Sequence, residues 1–364
     1  MEFKILKSEF LQALNQVQGV VEKKNVMPVL ANVLLEAEDG FLKISATDLE
    51  VASHVLTIAD VKHNGKITVL ARKLFDIVKE SAGEEVSVRV VENDRVEIIS
   101  LSNQCRIMGL PANEFPKLPE PEGEFVKTGT DVFLNCLDKV SFAMSTDETR
   151  YHLNGIYLEK SGAETIFVAT DGHRLALARC ALNLPDLGET SIIIPRKGVV
   201  ELRKVVAAQK AFEISLGKRH IFVKTEKQTL FIRLIDGDFP NYNRVIPAEC
   251  KNQVAIPRAP LIGALRRVSL LSDEYSKGVK LYFCQNALLV NTTNLEVGEA
   301  KEEISLNYSL DPLEVSFNAR YLLDVLSALT DENILMSFSD KSSPCVINSL
   351  SDKSFVSVIM PMRA

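Results

Sequence analysis

Ala71-Arg72-Lys73-Leu74-Phe75-Asp76-Ile77-Val78 reappears, with its order of charged and apolar positions kept, as Ala319-Arg320-Tyr321-Leu322-Leu323-Asp324-Val325-Leu326. Between them lies a third segment of the same kind, Pro195-Arg196-Lys197-Gly198-Val199-Val200-Glu201-Leu202. All three read as helix openings. Upstream of each, at nearly the same distance, stand Thr47-Asp48-Leu49-Glu50, Thr170-Asp171-Gly172-His173 and Thr293-Asn294-Leu295-Glu296. Every copy closes an apolar-rich run, as a turn at a strand end does. Further upstream, Phe10, Leu14 and Val17, then Phe133, Leu137 and Val140, then Leu261, Leu265 and Val268 keep the spacing of one helix face. The chain is therefore a threefold internal repeat with a period of roughly 120 residues.

Between the helices the pattern switches to period two. Val86, Val88 and Val90 are followed by Val96 and Ile98, with Asn93-Asp94 between them, which predicts a hairpin. Residues 212–216, 221–225 and 230–234 hold the corresponding place in the second repeat, and 334–338, 345–348 and 355–360 in the third. Each repeat is predicted to be an α+β unit, with two helices packed on antiparallel sheets. The three prolines and acidic residues of Pro116-Lys117-Leu118-Pro119-Glu120-Pro121-Glu122-Gly123 disfavour helix and ladder alike and mark a linker. A second boundary follows Phe239-Pro240-Asn241-Tyr242-Asn243-Arg244, so the expected domains are 1–122, 123–247 and 248–364.

A chain of 364 residues with 46% hydrophobic content can fill a core in each of three such units. Its first residues lack a basic segment followed by an apolar run, and no stretch reaches the length of a membrane span. A cytoplasmic protein with no membrane partner is expected. The six cysteines are scattered singly, without the spacing of a zinc site or a disulfide framework, and are expected to be reduced.

A net charge of −6 taken alone argues against nucleic acid, but placement matters more than the total. In the second helix of the middle repeat Lys197, Glu201 and Lys204 share a stripe beside Arg196 and Arg203, while Val199, Leu202 and Val206 face elsewhere. The matching helices offer Arg72, Lys73 and Lys79 in the first repeat and Arg320 in the third, and the preceding helix of the third repeat adds Arg258, Arg266 and Arg267. Any one of these is an ordinary solvated face; repetition on equivalent helices points to a basic surface.

Asp171 and His173 are the best candidates for a catalytic or metal-binding pair. Against them, the equivalent positions are Asp48 and Glu50, then Asn294 and Glu296, so a shared turn explains them first. The sequence holds no HExxH helix, G-x-S-x-G elbow, P-loop or G-x-G-x-x-G. No catalytic residue, metal or cofactor is expected. The terminal Val358-Ile359-Met360-Pro361-Met362-Arg363-Ala364 ends in an adaptable apolar surface or a last core strand.

Ala169-Thr170-Asp171-Gly172-His173-Arg174-Leu175, Ile194-Pro195-Arg196-Lys197-Gly198, Phe239-Pro240-Asn241-Tyr242 with Arg244, and Met360-Pro361-Met362-Arg363 together resemble the bacterial DNA polymerase III beta subunits, the sliding clamps. The resemblance runs from end to end. It implies three clamp domains per chain, closing as a head-to-tail homodimer into a ring around double-stranded DNA without regard to sequence. It implies no catalysis, and as partners a clamp loader, the polymerase III alpha subunit and other proteins that carry a clamp-binding motif. Size agrees: a unit of this length is about 35 Å across, so three in a ring leave a hole of about 5 Å and six leave about 35 Å, against a duplex of about 20 Å.

Carried over position by position, the resemblance implies a partner-peptide pocket from Leu153, Thr170, Gly172, His173, Arg174, Leu175, Pro240, Arg244 and Val245. The last domain adds Asn318, Tyr321, Val346, Val358, Met360, Pro361, Met362 and Arg363. DNA contacts are implied for Lys24, Arg150, Tyr151 and Lys197, with Arg72, Lys73, Arg196, Arg203 and Lys204 on the basic helices. The dimer contact is implied to join the strand around Cys105 and Ile107 to Leu270 and Leu271 of the other copy, with Lys73 near Glu299, Glu302 or Glu303. His152, Lys24, Ser276 and the final alanine depart from the family pattern. Two other readings stay open on the residues: a hydrolase using Asp171 and His173, and a monomeric peptide-binding scaffold that does not enclose DNA.

Overall fold

The computed structural model describes residues 1–21, 27–121, 123–185 and 191–362. Six helices carry the repeat, in three pairs: α1 (Lys7–Gln18) and α2 (Ala71–Glu80), α3 (Thr130–Ser141) and α4 (Arg196–Ala207), α5 (Arg258–Val268) and α6 (Ala319–Ala328). Each of the nine apolar positions picked out by spacing on α1, α3 and α5 is buried. Each such side chain contributes about 1.5–3 kcal/mol by leaving water, which is what holds these short helices on their sheets.

The three Thr-Asp/Asn segments are the predicted turns, between strands Phe41–Thr47 and Val51–Ile58, Glu164–Thr170 and Arg174–Cys180, and Ala287–Asn294 and Gly298–Ser305. One device builds them. Asp48 Oδ1 accepts the N–H groups of Glu50 and Val51, Asp171 Oδ1 those of His173 and Arg174, and Asn294 Oδ1 that of Glu296. The predicted hairpin is strand Glu85–Val90 on strand Arg95–Ser100, with Asn93 and Asp94 both at positive φ (58° and 55°), as a tight hairpin turn requires.

Chain contacts divide the structure into two compact units, and the cut runs through the middle repeat. One unit is built from Met1–Asp131 and Lys197–Leu234 with a short piece between, the other from Val132–Leu182 and most of the chain from Ile235 on. Within the first, a thirteen-strand sheet continues from one repeat into the next where Gln228–Arg233 pairs with Val51–Ile58, Phe231 opposite Ala52. Within the second, an eight-strand sheet does the same where Phe355–Ile359 pairs with Arg174–Cys180, Val358 opposite Leu175. The second unit also holds a four-strand sheet that ends in Gly298–Ser305. The prolines of 116–121 do keep that segment out of helix and strand, but Leu118 packs beneath it on Phe115 and on the Ala52, Phe222 and Phe231 cluster.

Strand Asn103–Leu110 is anchored by an ionic ladder. Glu97, fully buried, sits directly opposite Arg89 on one side and Arg106 on the other, and accepts hydrogen bonds from both and from Gln104. Arg106 first, then Arg89, hold the Glu97 carboxyl down at about 2, against its ordinary 4.5. Because the folded value is depressed, the stability it contributes is complete above about pH 4.5 and drains away as pH falls towards 2. Acid melting of the parent should steepen across that window, and Glu97→Gln should flatten it; identical pH profiles would contradict this role.

Candidate functional site

A cleft of about 240 Å³ opens in the second unit where the Thr170–His173 turn meets the last strand. Its floor is apolar: Leu153, Leu175 and Val358 are buried, and Tyr242 closes one end. Tyr242 and Val346 belong to one cluster with Ile166, Val168 and Leu177, against which Phe239 and Tyr157 stack at 4.7 Å. The Tyr242 hydroxyl donates to Glu159, and burial pushes its pKa up, so it remains a donor at any physiological pH. The rim is mixed, with His173, Pro240, Val245 and Met360 exposed to differing degrees. Met360 is held in place through its N–H, which donates to the His173 carbonyl at 2.9 Å.

Local chemistry sets this geometry. The Thr170 hydroxyl donates to the Arg174 carbonyl (2.6 Å) and accepts the Gly172 N–H (3.1 Å), which closes the turn. Gly172 has φ +89°, and a Cβ there would lie 2.9 Å from the Arg150 guanidinium. Gly172→Ala should therefore cost about 1–2 kcal/mol and weaken ligands of the cleft. Thermal melting and peptide titration check this, and parental values in both would contradict it.

Arg174 is the keystone. Its side chain is only 8% exposed, and its Nε donates to Asp171 Oδ2 (3.0 Å), one terminal nitrogen to Asp324 Oδ2 (2.6 Å) and the other to the Phe142 carbonyl (2.6 Å). The guanidinium lies 4.4 Å over the ring of Tyr321, which in turn stacks on His173. Arg174 thus binds the turn, α6 and the chain beyond α3 into one wall. It is a positioning group, each of its three nitrogens bonded within the protein.

Of the pocket positions expected from sequence, ten line the cleft: Leu153, Thr170, Gly172, His173, Arg174, Leu175, Pro240, Val245, Val358 and Met360. Val346 lies in the cluster beneath it, Tyr321 flanks His173 and Arg174, and Arg244 is exposed on the short turn of helix Tyr242–Arg244. Asn318 caps α6 by accepting from Arg320 and Tyr321 and donates to the Ser276 carbonyl. Beyond Pro361, Met362 is hydrogen-bonded to the Ser316 carbonyl and lies beside Gly278. Arg363 lies outside the described residues. Asn241 and Tyr242 line the cleft as well and were not on the expected list, although the Phe239–Tyr242 motif contained them.

The repeat places a second cleft, of about 300 Å³, at the equivalent turn of the first unit. Phe231 and Ala52 form its floor, but Glu50 and Arg233 stand at the rim where the other cleft has His173 and Met360, and Arg219 adds a further charge. An apolar ligand is therefore matched to the cleft of the second unit.

Basic residues are distributed as the helices dictate. Arg72 and Lys73 are exposed on α2, Arg203 and Lys204 on α4, and Arg150 and Tyr151 on the segment Glu148–Leu153. Arg196 is exposed at the start of α4, its guanidinium 3.4 Å from the carbonyls of Met144 and Ser145. Lys197 is half-buried and paired with Asp48, so its charge is already offset. Glu201, placed by its spacing on the outer stripe, is instead 5% exposed, lodged against Gly19 and paired with Lys204. Lys24 lies outside the described residues.

Several strands end their sheets among the described residues, and two open edges carry the residues expected at the dimer contact. Strand Asn103–Leu110 pairs with its hairpin partner from Asn103 to Met108 and on its other side only at Gly109 and Leu110, which leaves the edge around Cys105 and Ile107 unpaired among the described residues. Strand Gly298–Ser305, which carries Glu299, Glu302 and Glu303, is the edge of its sheet and shows the same alternation of exposed and half-buried positions. Glu302 is paired with Arg267 of α5, and Leu270 and Leu271 follow α5 in a short turn of helix, Leu270 being 78% exposed.

The chain matches the descriptions "DNA polymerase III beta subunit, N-terminal domain" over residues 1–119, "central domain" over 127–241 and "C-terminal domain" over 243–363. It is 36% identical to the beta sliding clamp of Pseudomonas aeruginosa and 34% identical to that of Vibrio cholerae, in both cases over all of either chain. Among solved structures it is similar to the beta sliding clamp of C. crescentus, at 33% identity and a TM-score of 0.96 over 100% of this chain and 99% of that one. It is likewise similar to the P. aeruginosa clamp bound to griselimycin, at 36% identity and a TM-score of 0.93 over all of both chains.

Proposed function

This chain belongs to the DNA polymerase III beta subunit family, the bacterial sliding clamps, and on that footing we propose how its own residues do a clamp's work. It is a DNA sliding clamp: two copies close head to tail into a ring around duplex DNA and tether the replicative polymerase and other DNA-processing proteins. The domains run 1–122, 123–247 and 248–364.

The observation that carries the ring is that two of the open edges, Asn103–Leu110 and Gly298–Ser305, show the same alternation of exposed and half-buried positions. Each is a liability for aggregation when bare, and pairing Asn103–Leu110 of one copy with Gly298–Ser305 of the next removes both at once. Charge agrees, since Lys73 on the first side would meet Glu299, Glu302 or Glu303 on the second, and the exposed Leu270 with Leu271 supplies an apolar anchor beside Cys105 and Ile107.

DNA is held by enclosure, with Arg72, Lys73, Arg150, Arg196, Arg203 and Lys204 touching phosphates and Tyr151 alongside. Contacts of this kind position without reading sequence. Lys24 adds to them, and Lys197, already paired with Asp48, contributes least. Few strong contacts suit a protein that must slide.

The cleft below Met360 takes an extended peptide from each partner, the polymerase III alpha subunit, the clamp loader and other proteins with a clamp-binding motif, through its apolar floor and a few rim groups. The chain performs no turnover: Asp171 is spent on its turn and on Arg174, and His173 is a wall of the cleft. No described helix is long and apolar enough to cross a membrane, and a replication factor of this kind works in the bacterial cytoplasm.

Primer extension on a singly primed circle, with the polymerase, a clamp loader and ATP, tests this. Addition of the chain should lengthen products from short stretches to the full circle, and Met360→Ala should shorten them again. Products of unchanged length would sink the reading.

A further inference from the structure

The structure brings together two cysteines that the sequence separates widely. Cys136 lies on the buried face of α3 and Cys180 ends the strand Arg174–Cys180, yet their sulfurs are 2.9 Å apart, with the Cys136 thiol donating to Cys180. A disulfide bond is about 2.05 Å long, so closing this one requires the sulfurs to approach by less than 1 Å. The other cysteines show no sulfur–sulfur hydrogen bond among the described residues: Cys105 faces Asn103, Cys284 the Ala287 carbonyl, and Cys345 is buried in the core with Cys250 as a neighbour.

We propose that Cys136 and Cys180 are a thiol modification site whose substrates are low-molecular-weight disulfides, which convert the pair reversibly into an intrachain disulfide. The two positions divide the labour. Cys180 is half-buried and reachable from solvent, whereas Cys136 is 2% exposed. The hydrogen bond from Cys136 holds the Cys180 thiol below its ordinary pKa, and the same bond, with burial, pushes Cys136 up. The ammonium of Lys139, three residues beyond Cys136 and paired with Asp352, favours the thiolate form of both.

Cys180 is therefore the entering nucleophile. Its thiolate attacks one sulfur of the small disulfide RSSR, breaking that bond and releasing RS⁻, which leaves Cys180 as a mixed disulfide. Cys136 then loses its proton to solvent and attacks the Cys180 sulfur, expelling the second RS⁻. Two protein thiols are oxidised, one RSSR is reduced, and the two protons end on the two released thiols. Reducing conditions in a bacterial cytosol keep the dithiol as the resting form.

The test is incubation of the folded, full-length chain with oxidised glutathione, then alkylation of remaining thiols and peptide mass mapping. A Cys136–Cys180 cross-linked peptide is expected, with the intact chain lighter by two hydrogens, and dithiothreitol should reverse both. Oxidised protein should melt several degrees higher than reduced protein, since the bond closes a loop in the unfolded chain. Cys136→Ser should arrest the reaction as a glutathione adduct on Cys180, and Cys180→Ser should remove it. Should either variant fail to fold, the alkylation pattern of the parent decides alone. A parent in which Cys136 and Cys180 are both alkylated, or in which glutathione stays on Cys180, would overturn the proposal.

Discussion

Arg174→Ala should lower the stability of the second unit by about 3 kcal/mol, or roughly 10 °C in its melting temperature, and abolish peptide binding at the cleft. The substitution deletes one buried cation and leaves two carboxylates, Asp171 and Asp324, and the Phe142 carbonyl without their donor. Removing one member of a buried pair costs more than the pair itself contributes, because the remaining charge stays in a poor solvent. Tyr321 also loses the cation stacked on its face, and with it the support of His173. Arg174→Lys should recover little, since an ammonium lacks the planar fork that reaches three acceptors. Differential scanning calorimetry and titration with a fluorescent clamp-binding peptide measure the two effects. A variant that melts and binds like the parent would show that the wall of the cleft stands without its keystone.

Leu270→Ala combined with Leu271→Ala should dissociate the dimer at concentrations where the parent remains closed. Leu270 is 78% exposed on the single chain, and the proposed edge-to-edge contact covers it. Losing about 1.5 kcal/mol of apolar burial at each position weakens each of the ring's two interfaces by about 3 kcal/mol, roughly a hundredfold per interface. Both residues lie outside the core of their own unit, so melting of the isolated chain should hardly change. Sedimentation over a dilution series reads the mass directly. A parent that is monomeric at every concentration, or a double variant with the parental mass distribution, would contradict the edge-to-edge ring.

Local order was legible in the sequence because each element carries its own signal. The face spacing of Phe10, Leu14 and Val17, the Asn93-Asp94 turn and the three Thr-Asp/Asn turns depend on neighbours a few residues away, and all are found where the pattern placed them. The repeat then did for the cleft what no single motif does: it separated a shared turn, common to Asp48, Asp171 and Asn294, from the features peculiar to one copy. What spacing does not carry is long-range pairing. The joining of Gln228–Arg233 to Val51–Ile58, which fuses two repeats into one sheet, has no local signature. Glu201 illustrates the same limit, since helix periodicity puts it beside Lys197 and Lys204 while α4 lodges it against Gly19. The six cysteines appeared solitary for the same reason: Cys136 and Cys180 meet only after α3 is laid on its sheet. Arg174 was expected as part of a pocket, and its role as a structural clasp became visible only with Asp324 and Phe142 in place.

Enclosure of DNA is read from retention on a circle. The chain is loaded on singly nicked circular DNA with a clamp loader and ATP, the free protein is removed, and the circle is then cut once. A closed ring stays on the intact circle and runs off the linear product through its free ends. Protein that remains on linear DNA with unblocked ends would instead be held by direct adhesion, and the ring would have to be abandoned.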